Sequence, residues 1–401
     1  MFVHHGGCCS CGWGGERLAP LTESRPKPML PAANRPILSY VFDALVETNV
    51  ETIHVVIGYE RDHIREYFGS AYRGIPINYV TQEKQLGSGH ALLQARNGLD
   101  GPFLVLNGDQ IVAPEMVDDV ATSYDPDDSF GTIGIIEHDD ISHYGSVSLD
   151  GDIITEFTEN PSGEGHRLLN AGIYAFDKRI FDAIEQTPRT EGELSLPETL
   201  RRVVEDDSYG GLQGVRTNGL WVDATYAWDL LTVAERLLSA EWIDGASDED
   251  RVWVADSARV HESAVLRAPV AIGPDVVVGP NAVVGPYTSL GRNATVAANA
   301  TVYRSVLDVD TRVGPNALLL DVVAGRAVDI GAGTIAPSGH ADIPVAGTVV
   351  EDQQVGAVLA DRVDVGGGAS FEPGAIVGTD ASIGVGTHVS GRVAKGSEVV
   401  R

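Results

Sequence analysis

The sequence is poor in lysine, cysteine and aromatic residues, and its balance of charge is one-sided. Only four of the 401 residues are lysine, and 57 Asp and Glu outweigh 28 Lys and Arg, which gives a formal net charge of −29. Such a surface repels the phosphates of nucleic acids and of anionic lipids, so we expect neither as a partner. An excess of carboxylates is typical of a salt-rich cytoplasm, where high ionic strength screens their mutual repulsion.

Long hydrophobic runs and separated cysteine pairs are also missing. No apolar run reaches the roughly 18 residues of a membrane helix, and the N-terminus lacks the charged start and apolar middle of a signal peptide. These absences predict a cytoplasmic protein. Cys8, Cys9 and Cys11 crowd into eight positions with His4 and His5. A structural zinc site usually draws on two separated ligand pairs, so this cluster does not predict a metal centre.

The chain has two regions with different sequence patterns. Up to about Ala240, β-branched or apolar runs (Thr52 to Gly58, Phe103 to Leu106) alternate with stretches of helical periodicity (Arg35 to Glu47, Ala227 to Leu238). This alternation predicts an α/β domain over residues 1–238, with a mostly parallel sheet covered on both faces. Ligands on such sheets lie beyond the carboxyl ends of the strands. The polar, acidic stretch 239–250 is the predicted linker.

A six-residue repeat follows the linker. Glycines recur at this interval, each just after an aliphatic residue, at Gly273, Gly279, Gly285 and Gly291, then at Gly325 and Gly331, and again at Gly366, Gly378 and Gly384. Six residues make one face of a triangular coil, so residues 251–401 are predicted to form a parallel β-helix. The stretch from Ser338 to Gln354 breaks the repeat. A glycine- and proline-rich β-sandwich would not produce this spacing.

The run ERLAPLTESRPKPMLP, from Glu16 to Pro31, holds Lys27 between two prolines that fix the backbone. In a chain with so few lysines, this placement favours a charge held for phosphate over a solvated basic loop. The run resembles the nucleotide-binding signature of the sugar-1-phosphate nucleotidylyltransferases. The resemblance implies a Rossmann-like domain whose glycine-rich loop, with Gly14 and Gly15, wraps a nucleoside triphosphate that Arg17 and Lys27 neutralise.

Other segments are similar to that family in the same order. QEKQLGSGHAL implies that Gln82 recognises the base and that Gly87 permits a close approach. FLVLNGD ends at Asp109 directly after an apolar strand, where a Mg²⁺ ligand belongs, and GLWVDATYAWDLL supplies Asp223 as the second metal carboxylate. The sugar-binding positions implied by the resemblance are Gly145, Glu159, Asn170, Gly172 and Glu193. Asn160 departs from the family, which commonly has lysine there.

The resemblance implies one reaction. An oxygen of a sugar 1-phosphate attacks the α-phosphorus of dTTP or UTP in line with departing pyrophosphate, and a dTDP- or UDP-sugar forms. Mg²⁺ with Arg17 and Lys27 stabilises the charge, and no covalent intermediate is required. Gln82 could serve either base, so the nucleotide stays open. The resemblance favours a glucose-type sugar over mannose.

Residues 1–13 depart from the family, whose loop follows a strand reading roughly Val-Val-Leu-Ala-Ala-Gly. Here the segment reads MFVHHGGCCSCGW, and we expect it not to form a buried strand, because polar and reactive groups would enter the core. Read one base later, the implied codons permit Met-Ala-Val-Val-Val-Leu-Ala-Ala-Gly in register with Gly14. We hypothesise that this segment is a frameshifted translation. As written, Trp13 stands where the loop would have a glycine.

The repeat segment raises a second possible activity. GAGT at Gly331 resembles the left-handed β-helix of bifunctional relatives that acetylate glucosamine 1-phosphate from acetyl-coenzyme A. Their catalytic histidine and tyrosine fall here on Pro315 and Leu318, and His340 and His388 remain. We therefore expect an assembly domain, trimeric by resemblance, with acyl transfer as the alternative. A non-catalytic regulatory relative is a further alternative, although it should have lost Asp109, Asp223 or Lys27.

Overall fold

The computed structural model describes residues 6–10, 15–58, 61–138, 145–159, 168–190, 192–243 and 251–400, and of residues 8–10, 61 and 159 it describes the backbone. By contacts the chain forms a first unit of Met1–Gly14 with Ile37–Val222 and a second unit of Gly15–Pro36 with Asp223–Arg401. This division does not coincide with the predicted linker, so the domain boundaries at 238 and 251 stay a prediction.

The first unit is built on one sheet of ten described strands. Their order is Gly145–Asp150, Ile153–Glu159, Leu212–Arg216, Gly131–Glu137, Leu168–Phe176, Phe103–Asn107, Gly6–Ser10, Ile53–Ile57, Ile75–Thr81 and Ala71–Tyr72. The strands predicted at Thr52 to Gly58 and at Phe103 to Leu106 are confirmed within one or two residues. Both are almost wholly buried, as continuous apolar runs in a parallel sheet should be.

The prediction of a mostly parallel sheet is wrong for half of this sheet. Gly6–Ser10 pairs in parallel with Ile53–Ile57 and with Phe103–Asn107. Leu168–Phe176 is antiparallel to both of its main neighbours, and Gly145–Asp150 is antiparallel to Ile153–Glu159. The last pair is joined by a tight turn, which permits only antiparallel pairing, whereas parallel neighbours need a long crossover.

Among its described residues, the first unit has six α-helices: α1 (Ile37–Glu47), α2 (Arg61–Phe68), α3 (Ser88–Gln94), α4 (Pro114–Ser123), α5 (Arg179–Gln186) and α6 (Leu196–Glu205). They cover both faces of the sheet. Ile133 and Ile135 share a core with α3, α5 and α6, while a side chain at Gly134 would meet Val120 of α4. Neighbouring residues of a strand point to opposite faces, so α4 lies on the other side of the sheet.

The structure contradicts the expectation that the N-terminal segment cannot form the first strand. Gly6–Ser10 lies between two parallel neighbours near the middle of the sheet. Gly6 and Gly7 bring no polar side chain into the core, and the leucines Leu99 and Leu45 fill the space beside them, 2.9 and 2.8 Å from where a Cβ would stand. The hypothesis of a shifted reading frame stays a prediction.

The second unit contains a left-handed parallel β-helix with three faces. The first face has Val252–Val254, Val270–Ile272, Thr288–Leu290, Val306–Leu307, Val323–Ala324, Ala357–Leu359, Ala375–Val377 and Arg392–Val393. The second has Arg259–Val260, Val277–Val278, Thr295–Val296, Arg312–Val313, Asp329–Ile330, Asp364–Val365, Ser382–Ile383 and Glu398–Val399. The third has Val265–Leu266, Val283–Val284, Thr301–Tyr303, Leu318–Leu320, Ile335–Ala336, Ser370–Phe371 and His388–Val389.

Close stacking of the coils explains the glycine repeat. Val252 pairs with Val270, and Val270 with Thr288, so these coils advance 18 residues each. At most repeat glycines, the backbone of the next coil passes where a side chain would begin. A Cβ on Gly331 would stand 2.5 Å from Gly367 N and 2.6 Å from Val365 O. Any larger residue would therefore push two coils apart.

The stretch from Ser338 to Gln354, which looked irregular, is an antiparallel hairpin of Gly339–Val345 and Thr348–Val355. It leaves the β-helix after Ile335–Ala336, and the coil resumes in register at Ala357–Leu359. The β-helix therefore tolerates an insertion at a corner, because strand pairing on its faces is not interrupted.

The remainder of the second unit consists of the signature run and α7 (Asp229–Ser239), which confirms the helix predicted from Ala227 to Leu238. The signature run contains a short ribbon of Pro31–Ala32 and Arg35–Pro36, so the helix predicted from Arg35 begins two residues later, at Ile37. Two further short strands are Gln110–Val112 and Trp221–Asp223. Within the described ranges, no helix is both long and apolar enough to cross a membrane.

Substituting two repeat glycines tests the stacking argument. Gly331→Ala should lower the free energy of unfolding by roughly 1–3 kcal/mol, because the coils must move to admit the methyl group. Gly384→Ala is the matched control, since the nearest atom would lie 3.2 Å from its Cβ. It should change stability much less in denaturant titrations of the full chain. Equal effects at the two positions would contradict this explanation.

Candidate functional site

The signature run folds as two short 3₁₀ helices, Glu16–Leu18 and Lys27–Met29, separated by a turn. Thr22 Oγ1 donates to the carbonyl of Gly15 at 2.7 Å, which closes the turn. Arg17 is exposed. Gly14, the other predicted loop glycine, lies outside the described residues.

Lys27 and Asp223 meet although 196 positions separate them in the chain. Lys27 Nζ lies 2.6 Å from Asp223 Oδ1, and their side chains are 10% and 9% exposed. The predicted phosphate-binding cation and a predicted metal carboxylate are therefore partners inside the second unit. A buried ion pair is held in place because either charge alone would be strongly disfavoured in this environment.

Asp229, at the start of α7, extends this cluster and was not predicted from the sequence. Its Oδ2 accepts hydrogen bonds from the backbone N–H groups of Thr225 and Tyr226 at 2.9 and 2.7 Å. Burial raises the pKa of Asp229 to about 6; the two amides and Lys27 oppose that shift, and the negative charge of Asp223 adds to it. Asp229 closes the loop that follows Asp223 and so fixes the course of the backbone there.

In the first unit, Gln82 is buried and held by its neighbours. Its Nε2 donates to the Gly87 carbonyl at 3.2 Å and lies 2.9 Å from His90 Nδ1. Burial and the charge of Arg189 lower the pKa of His90, so its ring stays neutral and Nδ1 accepts from the amide. His90 therefore orients the predicted base-reading side chain. The sequence GSGHAL could have indicated His90 as a partner of Gln82, because His90 follows Gly87 by less than one helical turn.

The backbone at Gly87 requires a glycine. Its φ is +95°, and a Cβ would stand 2.5 Å from the carbonyl oxygen of Leu194. Leu194 N donates to the Leu86 carbonyl at 2.7 Å, and Leu196 N donates to Ser88 Oγ at 3.0 Å. The structure thus brings the base-reading segment against the GEL segment. Glu193 itself is exposed.

Asp109 lies two residues beyond the strand Phe103–Asn107, at its carboxyl end, as the sequence predicted. The flanking side chains Asn107 and Gln110 are bonded to each other at 3.0 Å. Both touch Gly172, where a Cβ would stand 2.2 Å from Gln110 Oε1 and 2.6 Å from Asn107 Nδ2. The predicted metal segment and one predicted sugar-binding glycine are therefore in contact.

The remaining sugar-binding candidates lie on neighbouring strands. Gly145 is the direct cross-strand partner of Glu159, whose side chain is outside the described residues. Ser146, the next residue, pairs with Leu169, which precedes Asn170. Asn170 Oδ1 accepts from the N–H of Gly172 at 3.0 Å, and its amide donates to the Tyr174 hydroxyl at 2.8 Å. Four of the five predicted positions therefore fall on one part of the sheet.

The donor chemistry fits a hard cation. Mg²⁺ prefers oxygen ligands and is commonly held by one or two carboxylates plus substrate phosphates, and the carboxylates that the sequence predicts for it are Asp109 in the first unit and Asp223 in the second. Within the described part of the chain, no group of three or more His, Cys, Asp or Glu side chains could hold a metal ion.

These features define a class: a nucleotidyltransferase with a C-terminal hexapeptide β-helix. A family model described as nucleotidyl transferase matches residues 11–239, and one described as bacterial transferase hexapeptide (six repeats) matches residues 269–304. The chain belongs to the nucleotidyl transferase family, whose members generally use a divalent metal ion.

Relatives match over nearly the whole length. A protein of Methanococcus maripaludis strain C7 named bifunctional protein GlmU is 37% identical over 98% of this chain and 96% of its own. The UTP–glucose-1-phosphate uridylyltransferase AglF of Haloferax volcanii is 33% identical over 56% of this chain and 92% of its own. A solved UDP-glucose pyrophosphorylase, complexed with UDP-glucose, covers 60% of this chain and all of its own, with 19% identity and a TM-score of 0.53. The last likeness concerns the fold alone.

The raised pKa of Asp229 predicts a pH-dependent stability. The folded state retains this proton up to about pH 6, whereas an exposed aspartate loses it near 3.8, so ionisation of Asp229 opposes folding. As pH rises from about 4 to 7, the wild type should therefore lose stability relative to Asp229→Asn, by an amount on the order of 2 kcal/mol. Asparagine keeps an oxygen for both amides.

Thermal unfolding of both proteins in EDTA-containing buffer, across that pH range, measures the difference. EDTA is needed because a cation near Asp223 would itself lower the pKa of Asp229. A gap between the two melting temperatures that does not change with pH would contradict the assignment.

Proposed function

We propose that this protein joins a nucleoside triphosphate, dTTP or UTP, to a glucose-type sugar 1-phosphate and releases pyrophosphate. The observation that carries the proposal is the 2.6 Å contact between Lys27 and Asp223. A cation for the triphosphate and a carboxylate for its metal ion must lie side by side in such an enzyme. These two residues come from distant parts of the chain, and a merely solvated loop would have no reason to join them.

The proposed reaction needs charge control more than acid–base chemistry. A sugar-phosphate oxygen forms a bond to the α-phosphorus while the bond to the β-phosphate breaks, and the electron pair leaves with pyrophosphate. Arg17 and Lys27 would neutralise the phosphates and hold the two polyanions in line. No proton has to move, so no general base is assigned.

A divalent ion, when bound, would add electrostatic stabilisation to the phosphate oxygens, with Asp109 and Asp223 as its protein ligands. The binding of Lys27 to Asp223 has a consequence for this step. An approaching polyanion competes with Asp223 for the ammonium group, and a cation competes with Lys27 for the carboxylate. Both charges are therefore already desolvated and positioned before the substrates bind.

Base recognition would fall to Gln82, because His90 restrains its amide. The N–H groups of that amide already have acceptors in Gly87 and His90, so Gln82 Oε1 would accept the ring N–H that uracil and thymine share. Gly87 would support this role by accepting a hydrogen bond from the Gln82 amide, and its missing side chain admits the backbone of Leu194. The sugar would lie near Asn170 and Gly172, with Gly145, Glu159 and Glu193 around it.

Acyl transfer by the β-helix is a second candidate, favoured by the bifunctional names of the relatives that match over the full chain. His388 supports it: Nε2 lies 3.1 Å from Glu372 Oε1 and Nδ1 lies 2.9 Å from Ser370 Oγ. Pro315 and Leu318, at the positions aligned with the catalytic pair, offer no group that moves a proton. Thiol release from acetyl-coenzyme A with glucosamine 1-phosphate distinguishes the two candidates.

We also propose that the β-helix assembles the chain into a homotrimer in a salt-rich cytoplasm. Apolar side chains stay exposed along the second unit, among them Ile335 (46%), Val349 (59%) and Val385 (74%). Light scattering in molar salt measures the mass. A monomer at micromolar concentration would contradict the assembly.

Pyrophosphate release tests the transferase directly. We expect turnover in high salt with Mg²⁺ for dTTP or UTP paired with glucose, glucosamine or N-acetylglucosamine 1-phosphate. Asp109→Ala and Asp223→Ala should each lower kcat/KM by about 100-fold or more, because each removes stabilisation of charge in the transition state.

Asp329→Ala is the matched control, since Asp329 is an exposed aspartate on the β-helix. It should keep wild-type turnover. Folded Asp109 and Asp223 variants with full activity would exclude the proposed roles, and the absence of turnover with every substrate pair would exclude the proposed function.

A further inference from the structure

Arg25 is the most deeply buried charged side chain in the signature run. It is 1% exposed. Its Nη1 binds Asp308 Oδ2, and its Nη2 lies 3.1 Å from Asp361 Oδ1. Both carboxylates belong to coils of the β-helix, more than 280 positions away in the chain, and both are almost fully buried.

Two neighbouring contacts tie the same run to the same coils. Ser24 Oγ donates to Asp361 Oδ2, the second oxygen of that carboxylate. Thr379 Oγ1 donates to the carbonyl of Pro20 at 3.4 Å. Asp361 is itself held in place, because its Oδ1 also accepts the N–H of Arg326 at 2.9 Å. The run is therefore bound to several successive coils.

The contact is close in sequence to Lys27. Only Pro26 separates the two residues, and it fixes its own φ and restricts the residue before it. A displacement of the backbone at Arg25 should therefore also displace Lys27. Burial lowers the pKa of Arg25, but the charges of Asp308 and Asp361 outweigh burial and the pKa is raised overall, so the guanidinium stays charged.

The chain segment after Asp223 is attached to the β-helix unit as well. Trp228 Nε1 donates to Gln353 Oε1 of the hairpin at 3.0 Å. Glu235 of α7 lies 3.7 Å from Arg304 of the coils. Both members of the Lys27 and Asp223 pair are therefore carried on segments that the β-helix restrains.

We infer that Arg25 is a positioning residue of the transferase: through Asp308 and Asp361 the β-helix fixes the place of Lys27. The inference rests on the proposed function, and it assigns the β-helix a part in nucleotide transfer beyond assembly. Arg25 itself touches no reacting atom.

Because the chain has so few lysines, the reactivity of Lys27 can be measured directly in the full chain, which tests the positioning role of Arg25. Lys27 is buried, whereas Lys84, Lys178 and Lys395 are exposed and serve as internal references. Brief acetylation followed by mass spectrometry measures the reactivity of each amine. In Arg25→Met and in Asp361→Asn, we expect Lys27 to react several-fold faster while the reference lysines do not change.

Arg362→Met is the matched control, because Arg362 forms a more exposed pair with Asp380 on the same β-helix and does not bind the run. It should leave Lys27 protected. Asp361→Asn keeps the shape of the side chain, so it remains informative if Arg25→Met unfolds, and thermal unfolding identifies which variants are folded.

Kinetics add a readout that a loss of folded protein cannot mimic. A smaller active fraction lowers kcat and kcat/KM in proportion and leaves KM unchanged, whereas a displaced Lys27 should raise the KM for the nucleoside triphosphate, with kcat/KM about tenfold to a hundredfold lower. The KM for the sugar phosphate should change less. Arg25→Lys should restore part of the loss, because it keeps one ionic contact.

The outcomes separate the two proposals. Folded Arg25→Met and Asp361→Asn proteins with wild-type Lys27 reactivity would overturn the positioning role. If Lys27 becomes reactive in these variants while the wild type turns over no substrate pair, the positioning role stands and the proposed function fails.

Discussion

A guanidinium that water does not reach must have its charge balanced by the protein, and Arg25 is balanced by Asp308 and Asp361. Removing one member of a buried pair typically destabilises a protein by about 3–5 kcal/mol, a large share of the roughly 5–15 kcal/mol that holds a typical protein folded. Separating the signature run from the coils would therefore cost a large free energy. This explains why contacts group Gly15–Pro36 with the β-helix, although the run precedes it by more than 200 residues.

Because the chain has far more acidic than basic residues, the position of each cation matters. In a chain with 57 acidic residues and 28 basic ones, a lysine or arginine meets carboxylates nearly everywhere. Lys27 and Arg25 are distinguished by burial, which excludes water and salt from their ion pairs. Screening by high salt would weaken the exposed pairs first and leave these two in place. These two ion pairs should therefore stay in place at high ionic strength.

Periodic features of the chain were predictable because they follow from local geometry. The six-residue repeat requires a triangular coil, and Asn or Asp at its corners adopts the left-handed backbone, as at Asn281 and Asn293 with φ of 56° and 59°. The buried strands and the helix ending at Ser239 followed from apolar spacing. The antiparallel pairing of Leu168–Phe176 with its two main neighbours did not, because it depends on partners distant in the chain that no local pattern names.

The sequence by itself determined the family, the β-helix and the candidate residues, since motif order, glycine spacing and the scarcity of lysine can all be read along one chain. Only the tertiary structure decided which side chains contact these candidate residues. It joined Lys27 to Asp223, placed His90 against Gln82, and buried Arg25 among carboxylates of the β-helix. Ion pairs and burial depend on which surfaces fold together, and residues hundreds of positions apart carry no local signal of that encounter.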